Sequence, residues 1–150
     1  FNIYGPRMGK NNVMIKFIDN ALSGKPITIF GDGAQSRSFC HIEDAINGFL
    51  RVMILGKNGE AYNIGGDENS EISMLGLAKL LLKISNKSVN IKLTDYPEGY
   101  PKDEPRKSSP DMRKAGEEVG FYSSITLENG LCNLYKTYQK KALEGENYEN

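Results

Sequence analysis

The segment VMIKFIDNALSGKPITIF, residues 13–30, decides the fold class because it places a helix directly before a strand. Apolar residues in its first part recur at the three- and four-residue spacing of one helical face, which predicts a helix. Asn11 or Asn12 would cap this helix and Gly24 would end it. The β-branched and aromatic residues at 27–30 then predict a strand.

The same alternation of helices and strands continues on both sides of this segment, so the predicted class is α/β. Further strands are expected at 1–4, 38–42, 61–64 and 90–93, and further helices at 45–54, 73–84, 111–119 and 127–143. Residues 95–110 hold several prolines and cannot form a helix interior. We expect 1–143 to form one domain and 144–150 a polar tail.

Charge and composition exclude several classes of protein. The 150 residues carry 19 Lys+Arg and 19 Asp+Glu, and this balance argues against a protein that coats nucleic acid or anionic lipid. No apolar run approaches the length of about 20 residues that spans a bilayer, and no secretory leader is expected. Cys40 and Cys132 lack metal-binding spacing and are predicted to be reduced thiols in a cytoplasmic protein. The start at Phe1, inside a predicted strand and without Met, is typical of a fragment.

Motifs for catalysis are absent from this sequence. The glycine pairs Gly31/Gly33 and Gly65/Gly66 match neither GxGxxG nor GxxxxGK[ST]. There is no HExxH, no serine nucleophile elbow and no Tyr-x-x-x-Lys pair. The residues alone therefore predict a soluble α/β domain that binds a small anionic ligand, with no catalytic residue and no metal site.

Two residue pairs invite a chemical interpretation that we do not favour. His41 beside Cys40 could suggest a nucleophile, but no electropositive partner is evident, so we predict structural packing. Asp103 and Glu104 could suggest paired carboxylates, but adjacent side chains usually diverge, so we predict charges in a loop.

Four motifs in order carry a resemblance to a known family: FNIYGPRM at 1–8, GDGAQSRSFCHIED at 31–44, AYNIGG at 61–66 and PDMRKA at 110–115. They resemble the C-terminal part of the NAD-dependent epimerases/dehydratases, which are extended short-chain dehydrogenases/reductases acting on nucleotide sugars. The resemblance spans about residues 1 to 140. It implies that the chain contains the last Rossmann strands and most of a small substrate-binding α/β domain.

The resemblance also implies a function. The chain would be the substrate-binding segment of an epimerase, dehydratase or decarboxylase that takes a UDP- or dTDP-sugar and uses NAD. In this family the Gly-rich cofactor loop and the Ser/Thr, Tyr and Lys catalytic residues precede this segment, so the chain alone is expected to be inactive. The implied partners are the N-terminal Rossmann half and, in the intact protein, a second copy in a homodimer.

Five residues are implied to contact the phosphates, sugar and base. Asn2 matches a position that contacts the diphosphate-sugar. Asn12 and the backbone of Val13 would reach the phosphates at a helix N-terminus, where N–H groups and the helix dipole favour anions. Thr28 and Phe30 match strand positions that line the base.

The basic residues are implied to neutralise phosphate. Arg37 matches the family's phosphate-binding arginine. Arg106 and Lys107 lie where the family has a second arginine, and the departure of this run from the family pattern leaves open which of them binds. Phe1 matches a position whose backbone touches the nicotinamide of NAD in some relatives.

Each of these positions has an alternative without function. The asparagines could be turn and cap residues, the basic side chains could be solvated surface charges, and Phe30 could belong to the core. At the level of the whole chain, the alternatives are a stand-alone nucleotide-sugar-binding module and an inactive structural remnant. Saturable nucleotide binding would separate the remnant from the other two.

Overall fold

The computed structural model describes residues 1–100 and 105–144, which fall into two compact units. Unit 1 comprises Phe1–Gly5, Ser36–Ile72 and Lys107–Leu127, and unit 2 comprises Pro6–Gln35, Ser73–Arg106 and the chain from Glu128 onward. The predicted loop charges at Asp103 and Glu104, and residues 145–150 of the predicted tail, lie outside the described residues.

Helices and strands alternate along most of the chain, as predicted. In chain order the elements are β1 (Ile3–Tyr4), α1 (Val13–Leu22), β2 (Ile27–Phe30), β3 (Ser36–Ser38), β4 (Cys40–His41), α2 (Ile42–Leu55), a 3₁₀ turn (Glu68–Ser70), β5 (Glu71–Ser73), α3 (Met74–Ser85), β6 (Ile91–Thr94), β7 (Lys107–Ser108), α4 (Arg113–Val119) and α5 (Leu127–Glu144). Among these helices none is long and apolar enough to cross a membrane.

Unit 2 is built on a parallel strand pair covered by helices. β2 pairs with β6 in a register that runs from Ile27 opposite Ile91 to Phe30 opposite Thr94. α1 and α3 pack on β2 and on each other. Their buried side chains, with those of β2 and α5, form the core: Ile15, Ile18, Ile27, Leu77, Leu81, Leu131 and Leu134.

The helix α1 has the bounds that its sequence predicts. The Asn12 side chain accepts a hydrogen bond from the backbone N–H of Met14 at 2.9 Å, which is the N-cap interaction. Gly24 lies just beyond the last turn with φ of 68°, the left-handed conformation that ends many helices. The predictions of the helix and of Asn12 as its cap are therefore confirmed.

Unit 1 contains a second, shorter parallel pair. β1 pairs with β4 with Ile3 opposite Cys40 and Tyr4 opposite His41. α2 begins immediately after β4 and packs against both strands and α4. A core cluster of buried side chains joins these elements: Cys40, Ala45, Ile64, Ala115, Val119 and Phe121. A three-stranded sheet in the order β5-β3-β7 completes the strands.

The predicted strand at 61–64 is wrong. This segment is held through side chains instead of a ladder: the Asn63 amide donates to the carbonyl of Asp111 at 3.0 Å, and Lys114 donates to the carbonyl of Ala61 at 2.9 Å. The predicted strand at 38–42 is also too long, because α2 already begins at Ile42. β5 and β7 are not predicted from the sequence, because they are too short to show a period of two.

Candidate functional site

In unit 2, the strand β2 presents two of the predicted residues on one exposed face. Ile27 and Ile29 are buried, and Thr28 and Phe30 alternate with them toward solvent. Phe30 is 40% exposed, so the alternative that it is a core residue is excluded. The face that carries Thr28 and Phe30 is thus accessible to a ligand.

Phe30 belongs to a cluster of three rings, which we call the aromatic cluster. Its ring centroid lies 6.3 Å from that of Tyr96 and 6.1 Å from that of Tyr100, and the two tyrosines are 4.6 Å apart. Gly31, with φ of 69°, makes room for Tyr96, since a Cβ there would lie 2.7 Å from the Tyr96 ring. Three rings at these distances form a partly exposed apolar surface at the ends of β2 and β6.

Neither tyrosine is predicted as a site residue from the sequence, because both lie in the proline-rich stretch that has no periodic pattern. A signal was nevertheless present. Thr94 ends β6 opposite Phe30, so an aromatic residue two positions later falls beside the end of β2. Placing Tyr96 beside Phe30 requires knowing that β2 pairs with β6, which the sequence does not show.

Arg106 in unit 2 forms a bidentate ion pair with a carboxylate in the turn after β2. Its Nη2 and Nη1 atoms donate to the two oxygens of Asp32 at 2.8 and 3.2 Å. The hydrogen bond from Arg106 lowers the pKa of the Asp32 carboxyl, and the same bond raises the pKa of Arg106. Exposed ion pairs contribute little to stability, so a phosphate could take the place of this carboxylate at small cost.

The start of α1 is the third part of unit 2 that bears predicted residues. The carboxamide oxygen of Asn12 is occupied by the cap hydrogen bond, so a phosphate contact at this residue would use Nδ2. Val13 is the first residue of the helix, where backbone N–H groups have no partner four residues earlier. The positive end of the helix dipole lies at the same place.

In unit 1, Asn2 is held against β3. Its side-chain amide donates to the carbonyl of Ser38 at 3.1 Å, and its own carbonyl accepts from the Cys40 N–H at 3.2 Å. Asn2 has φ of 42°, a left-handed conformation that asparagine tolerates better than most residues. The hydroxyl groups of Ser38 and Ser109 lie 2.9 Å apart beside it. Asn2 therefore has a structural role in addition to the predicted ligand contact.

Arg37 and Lys107 lie on adjacent strands of unit 1. β3 and β7 run parallel with Arg37 opposite Ser108. Arg37 donates to the carbonyl of Ser36 at 2.8 Å, and Lys107 pairs with Glu71 at 2.9 Å. The Lys107 hydrogen bond lowers the pKa of Glu71. Although Arg106 and Lys107 are sequence neighbours, each is therefore held by a different carboxylate.

Phe1, the predicted NAD contact, is also in unit 1. Its backbone nitrogen donates to the carbonyl of Ile64 at 2.9 Å, and its side chain is 48% exposed. This bond ties the start of β1 to the segment that precedes Gly65.

Cys40 and His41 have the structural role that the sequence predicts. Burial, and secondarily the charge of Asp44, raises the pKa of the Cys40 thiol to about 11, which disfavours a reactive thiolate. The Nδ1 atom of His41 accepts from the Glu43 N–H at 3.3 Å and caps α2, and its ring packs edge-on against Tyr4. Within the described part of the chain, no group of three or more metal-ligating side chains could hold a metal ion.

A buried carboxylate that sequence analysis did not single out anchors unit 1. Asp44, only 5% exposed, accepts hydrogen bonds from the Ser124 N–H at 3.1 Å, the Ser124 hydroxyl at 2.8 Å and the Ile125 N–H at 2.9 Å. In the sequence, Asp44 is only an acidic residue in the first turn of a predicted helix, where its charge interacts favourably with the helix dipole. That pattern gives no sign of a tertiary contact.

Comparisons with known proteins show which family this chain resembles. The model of the NAD dependent epimerase/dehydratase family matches residues 1–65. UDP-glucuronic acid decarboxylase 2 of Arabidopsis thaliana is 34% identical over 143 residues, which are 94% of this chain and 31% of that protein.

Solved structures give the same result. UDP-glucuronic acid 4-epimerase from Bacillus cereus, in complex with UDP-glucuronic acid and NAD, is 35% identical with a TM-score of 0.83, over 95% of this chain and 44% of that one. The dTDP-glucose 4,6-dehydratase of Bacillus anthracis, in complex with NAD, is 26% identical with a TM-score of 0.84, over 95% and 43% of the two chains.

The chain spans less than half the length of these relatives. Its parallel strands with packed helices agree with the corresponding part of their folds. Residues 1–65 of this chain thus match the NAD dependent epimerase/dehydratase family model, and its α/β fold is similar to the C-terminal portion of an extended Rossmann-type short-chain dehydrogenase/reductase.

Proposed function

We propose that this chain is the substrate-binding segment of an NAD-dependent epimerase, dehydratase or decarboxylase, and that its ligand is a UDP- or dTDP-sugar. The observation that carries the proposal is the exposed aromatic cluster at the carboxyl ends of the parallel strands β2 and β6. Ligands of parallel α/β sheets bind outside the carboxyl ends of the strands. The UDP-glucuronic acid complex of the Bacillus cereus relative supports the ligand class.

The aromatic cluster suits a pyrimidine base. Stacking of a base on an aromatic side chain contributes about 1–3 kcal/mol and does not require one particular base. Thr28, on the same face as Phe30, adds a hydroxyl that can donate to or accept from the edge of the base. Apolar rings that orient a ligand beside a few polar groups are the usual composition of a small-molecule site.

We propose that the predicted polar residues of unit 2 bind the phosphates. Arg106 would exchange Asp32 for a phosphate oxygen, and the start of α1 would supply Val13 N–H and Asn12 Nδ2. Replacement of the Asp32 carboxylate by a phosphate would leave the Arg106 charge compensated.

Asn2, Arg37 and Lys107 of unit 1 stay predictions from the resemblance. A phosphate contact at Lys107 would require this side chain to leave Glu71.

The residues present do not fit a complete NAD molecule. The Tyr96 ring fills the space beside Gly31, and the side chains of Pro110 and Phe1 fill the space beside Gly65. Neither glycine therefore leaves room for a pyrophosphate. When bound, NAD supplies hydride transfer to and from the sugar. We propose that it is held mainly by an N-terminal Rossmann half, with Phe1 as the contact from this chain. This chain's part in the reaction is to bind and orient the sugar nucleotide.

The same proposal extends to assembly and compartment. The intact protein would be a homodimer in the cytoplasm, where the free thiols Cys40 and Cys132 would remain reduced. On this view the chain alone binds ligand but does not turn it over. Restoring a Rossmann half, and then assaying turnover of a UDP-sugar, separates an enzyme segment from a binding module.

Substitution of Tyr96 by Ala should weaken binding of UDP by about 5- to 150-fold, because one stacking surface of the base, worth about 1–3 kcal/mol, is lost. Tyr96→Phe keeps the ring and should bind as the unsubstituted chain does. Isothermal titration calorimetry with UDP and with uridine measures both effects. Tyr122→Ala removes a tyrosine that is 74% exposed and lies outside the aromatic cluster, so it is the matched control. Equal affinities of Tyr96→Ala and Tyr122→Ala would refute the base assignment.

Substitution of Arg37 by Ala should weaken UDP binding by about 10- to 150-fold, since a hydrogen bond to a charged group contributes about 1.5–3 kcal/mol. Uridine lacks phosphate, so its affinity should not change. Arg113→Ala, which removes an exposed arginine paired with Asp111, serves as the control for lost surface charge. If the chain binds no nucleotide at millimolar concentration, it is an inactive structural remnant and the proposed function is wrong.

A further inference from the structure

The turn after β2 holds the Asp32 carboxylate in a defined position. Its Oδ1 atom accepts a hydrogen bond from the Ala34 N–H at 3.0 Å, which ties the side chain to the backbone of its own turn. The same carboxylate receives the Arg106 guanidinium through Nη1 at 3.2 Å and Nη2 at 2.8 Å. Asp32 therefore presents a preorganised anion to Arg106.

This ion pair lies beside the aromatic cluster of unit 2. Asp32 directly follows Gly31, and the Tyr96 ring fills the space that a Cβ of Gly31 would occupy. The hydrogen bond from Asp32 raises the pKa of Arg106, and the nearby Tyr96 acts in the same direction. One nucleotide can therefore contact both the rings and the guanidinium.

A carboxylate and a phosphate offer Arg106 equivalent acceptors. Arginine binds either group through two parallel N–H donors, so one pair of nitrogens cannot hold both groups at once. The side chains of Arg106 and Asp32 are 63% and 57% exposed, so a ligand in solution can reach the pair. A phosphate that displaces Asp32 also leaves a second negative charge close to its own.

The ion pair thus opposes every phosphate ligand in two ways. The Asp32 carboxylate neutralises Arg106 before a ligand arrives, and it repels the phosphate after the exchange. Uridine has no phosphate, so its binding to the aromatic cluster does not require Arg106 to leave Asp32. The opposition therefore acts on the phosphate part of a ligand and not on its base.

We propose that Asp32 is a specificity-determining residue, which competes with the phosphates of the ligand for Arg106. Because of this competition, a phosphate compound without a base binds poorly, and the aromatic cluster must contribute to affinity. Opposition to an unwanted ligand is a general route to specificity. The inference rests on the proposed function and deepens it, since it assigns to one carboxylate the discrimination between sugar nucleotides and compounds such as inorganic pyrophosphate.

Substitution of Asp32 by Asn tests the competition, because it removes the charge and keeps an oxygen for the Ala34 N–H. The full chain is titrated with UDP, inorganic pyrophosphate and uridine by isothermal titration calorimetry at low ionic strength. Asp32→Asn should bind UDP and pyrophosphate about 2- to 5-fold more tightly, as expected from the loss of an exposed ion pair, and uridine equally well. The gain should shrink as salt is added.

Asp111→Asn is the matched control. Asp111 accepts from the Arg113 N–H at 3.0 Å and pairs with the Arg113 guanidinium at 2.6 Å, so it resembles Asp32 in its contacts but belongs to unit 1. Its removal changes the net charge of the chain equally and should leave UDP affinity unchanged. In an Arg106→Ala background, Asp32→Asn should alter UDP affinity less than twofold, because no guanidinium remains to compete for.

Circular dichroism verifies that each variant is folded, and Asp32→Ser, which also keeps an oxygen in the turn, should reproduce the result of Asp32→Asn. An unchanged affinity of Asp32→Asn for UDP or for pyrophosphate, or an equal gain from Asp111→Asn, would overturn the inference. Weaker UDP binding by Asp32→Asn would also overturn it and would show that Asp32 orients Arg106 instead. In these cases UDP still binds and the proposed function stands. Absence of UDP binding in both the unsubstituted chain and Asp32→Asn would reject the proposed function and this inference together.

Discussion

Substitution of Asp44 by Ala should lower the free energy of unfolding by about 3–5 kcal/mol, because two N–H groups and one hydroxyl lose a shared charged acceptor, and a hydrogen bond to a charged group contributes about 1.5–3 kcal/mol. All three donors come from Ser124 and Ile125, and the carboxylate that receives them is nearly fully buried. The charge makes each bond stronger than one between neutral groups. Natural domains are stable by only about 5–15 kcal/mol, so this variant is expected to be partly unfolded at 37 °C.

Urea denaturation followed by far-ultraviolet circular dichroism measures this effect, since the chain has no tryptophan. Glu43→Ala is the matched control, because Glu43 is the preceding acidic residue of the same helix and is exposed. It removes only the interaction with the helix dipole and should lower stability by less than about 1 kcal/mol. Similar stabilities of Asp44→Ala and Glu43→Ala would show that the three hydrogen bonds do not anchor unit 1.

Substitution of Gly66 by Ala should destabilise the chain by about 3 kcal/mol, at the upper end of the usual cost of overpacking. A Cβ at this position would approach the Ser70 hydroxyl oxygen and the backbone carbonyl of Phe39 more closely than real Cβ atoms do. Neither neighbour can yield easily. Ser70 donates to the carbonyl of Asp67 at 2.7 Å, and the Phe39 N–H donates to the carbonyl of Ser70 at 3.2 Å.

The matched control for this substitution is Gly9→Ala. A Cβ at Gly9 meets nothing within 4 Å, and its backbone has no positive φ, so the change should be neutral or slightly stabilising. Thermal unfolding of both variants separates the crowding at Gly66 from the general loss of a glycine. A Tm for Gly66→Ala equal to that of Gly9→Ala would mean that the backbone near Phe39 moves aside without cost.

Local features were predictable from the sequence. The helix α1 has a strong period, a cap residue at Asn12 and a terminating glycine within a short window, and each of these signals acts over a few residues. The alternation of buried and exposed residues in β2 is equally local, but only the structure shows that Phe30 lies on the exposed face. The resemblance to a family added the order of the motifs, which local propensity cannot provide.

Features that depend on contacts distant in sequence were not predictable in the same way. Asp44 finds its partners 80 and 81 residues later, and nothing near Asp44 signals them. The segment 61–64 resembles a strand in sequence, but side chains of α4 form hydrogen bonds with the Ala61 carbonyl and the Tyr62 hydroxyl. The apolar row of α2 was evident as a pattern, but only the structure shows that it faces solvent and not the core.

The two units described above are interleaved along the chain. The polypeptide passes from one to the other five times, at the boundaries near residues 5, 35, 72, 106 and 127. A single proteolytic cut therefore cannot release either unit as one continuous piece, and truncation from either end soon removes parts of both. A minimal ligand-binding piece can therefore be made only by joining the separate segments of one unit through new linkers.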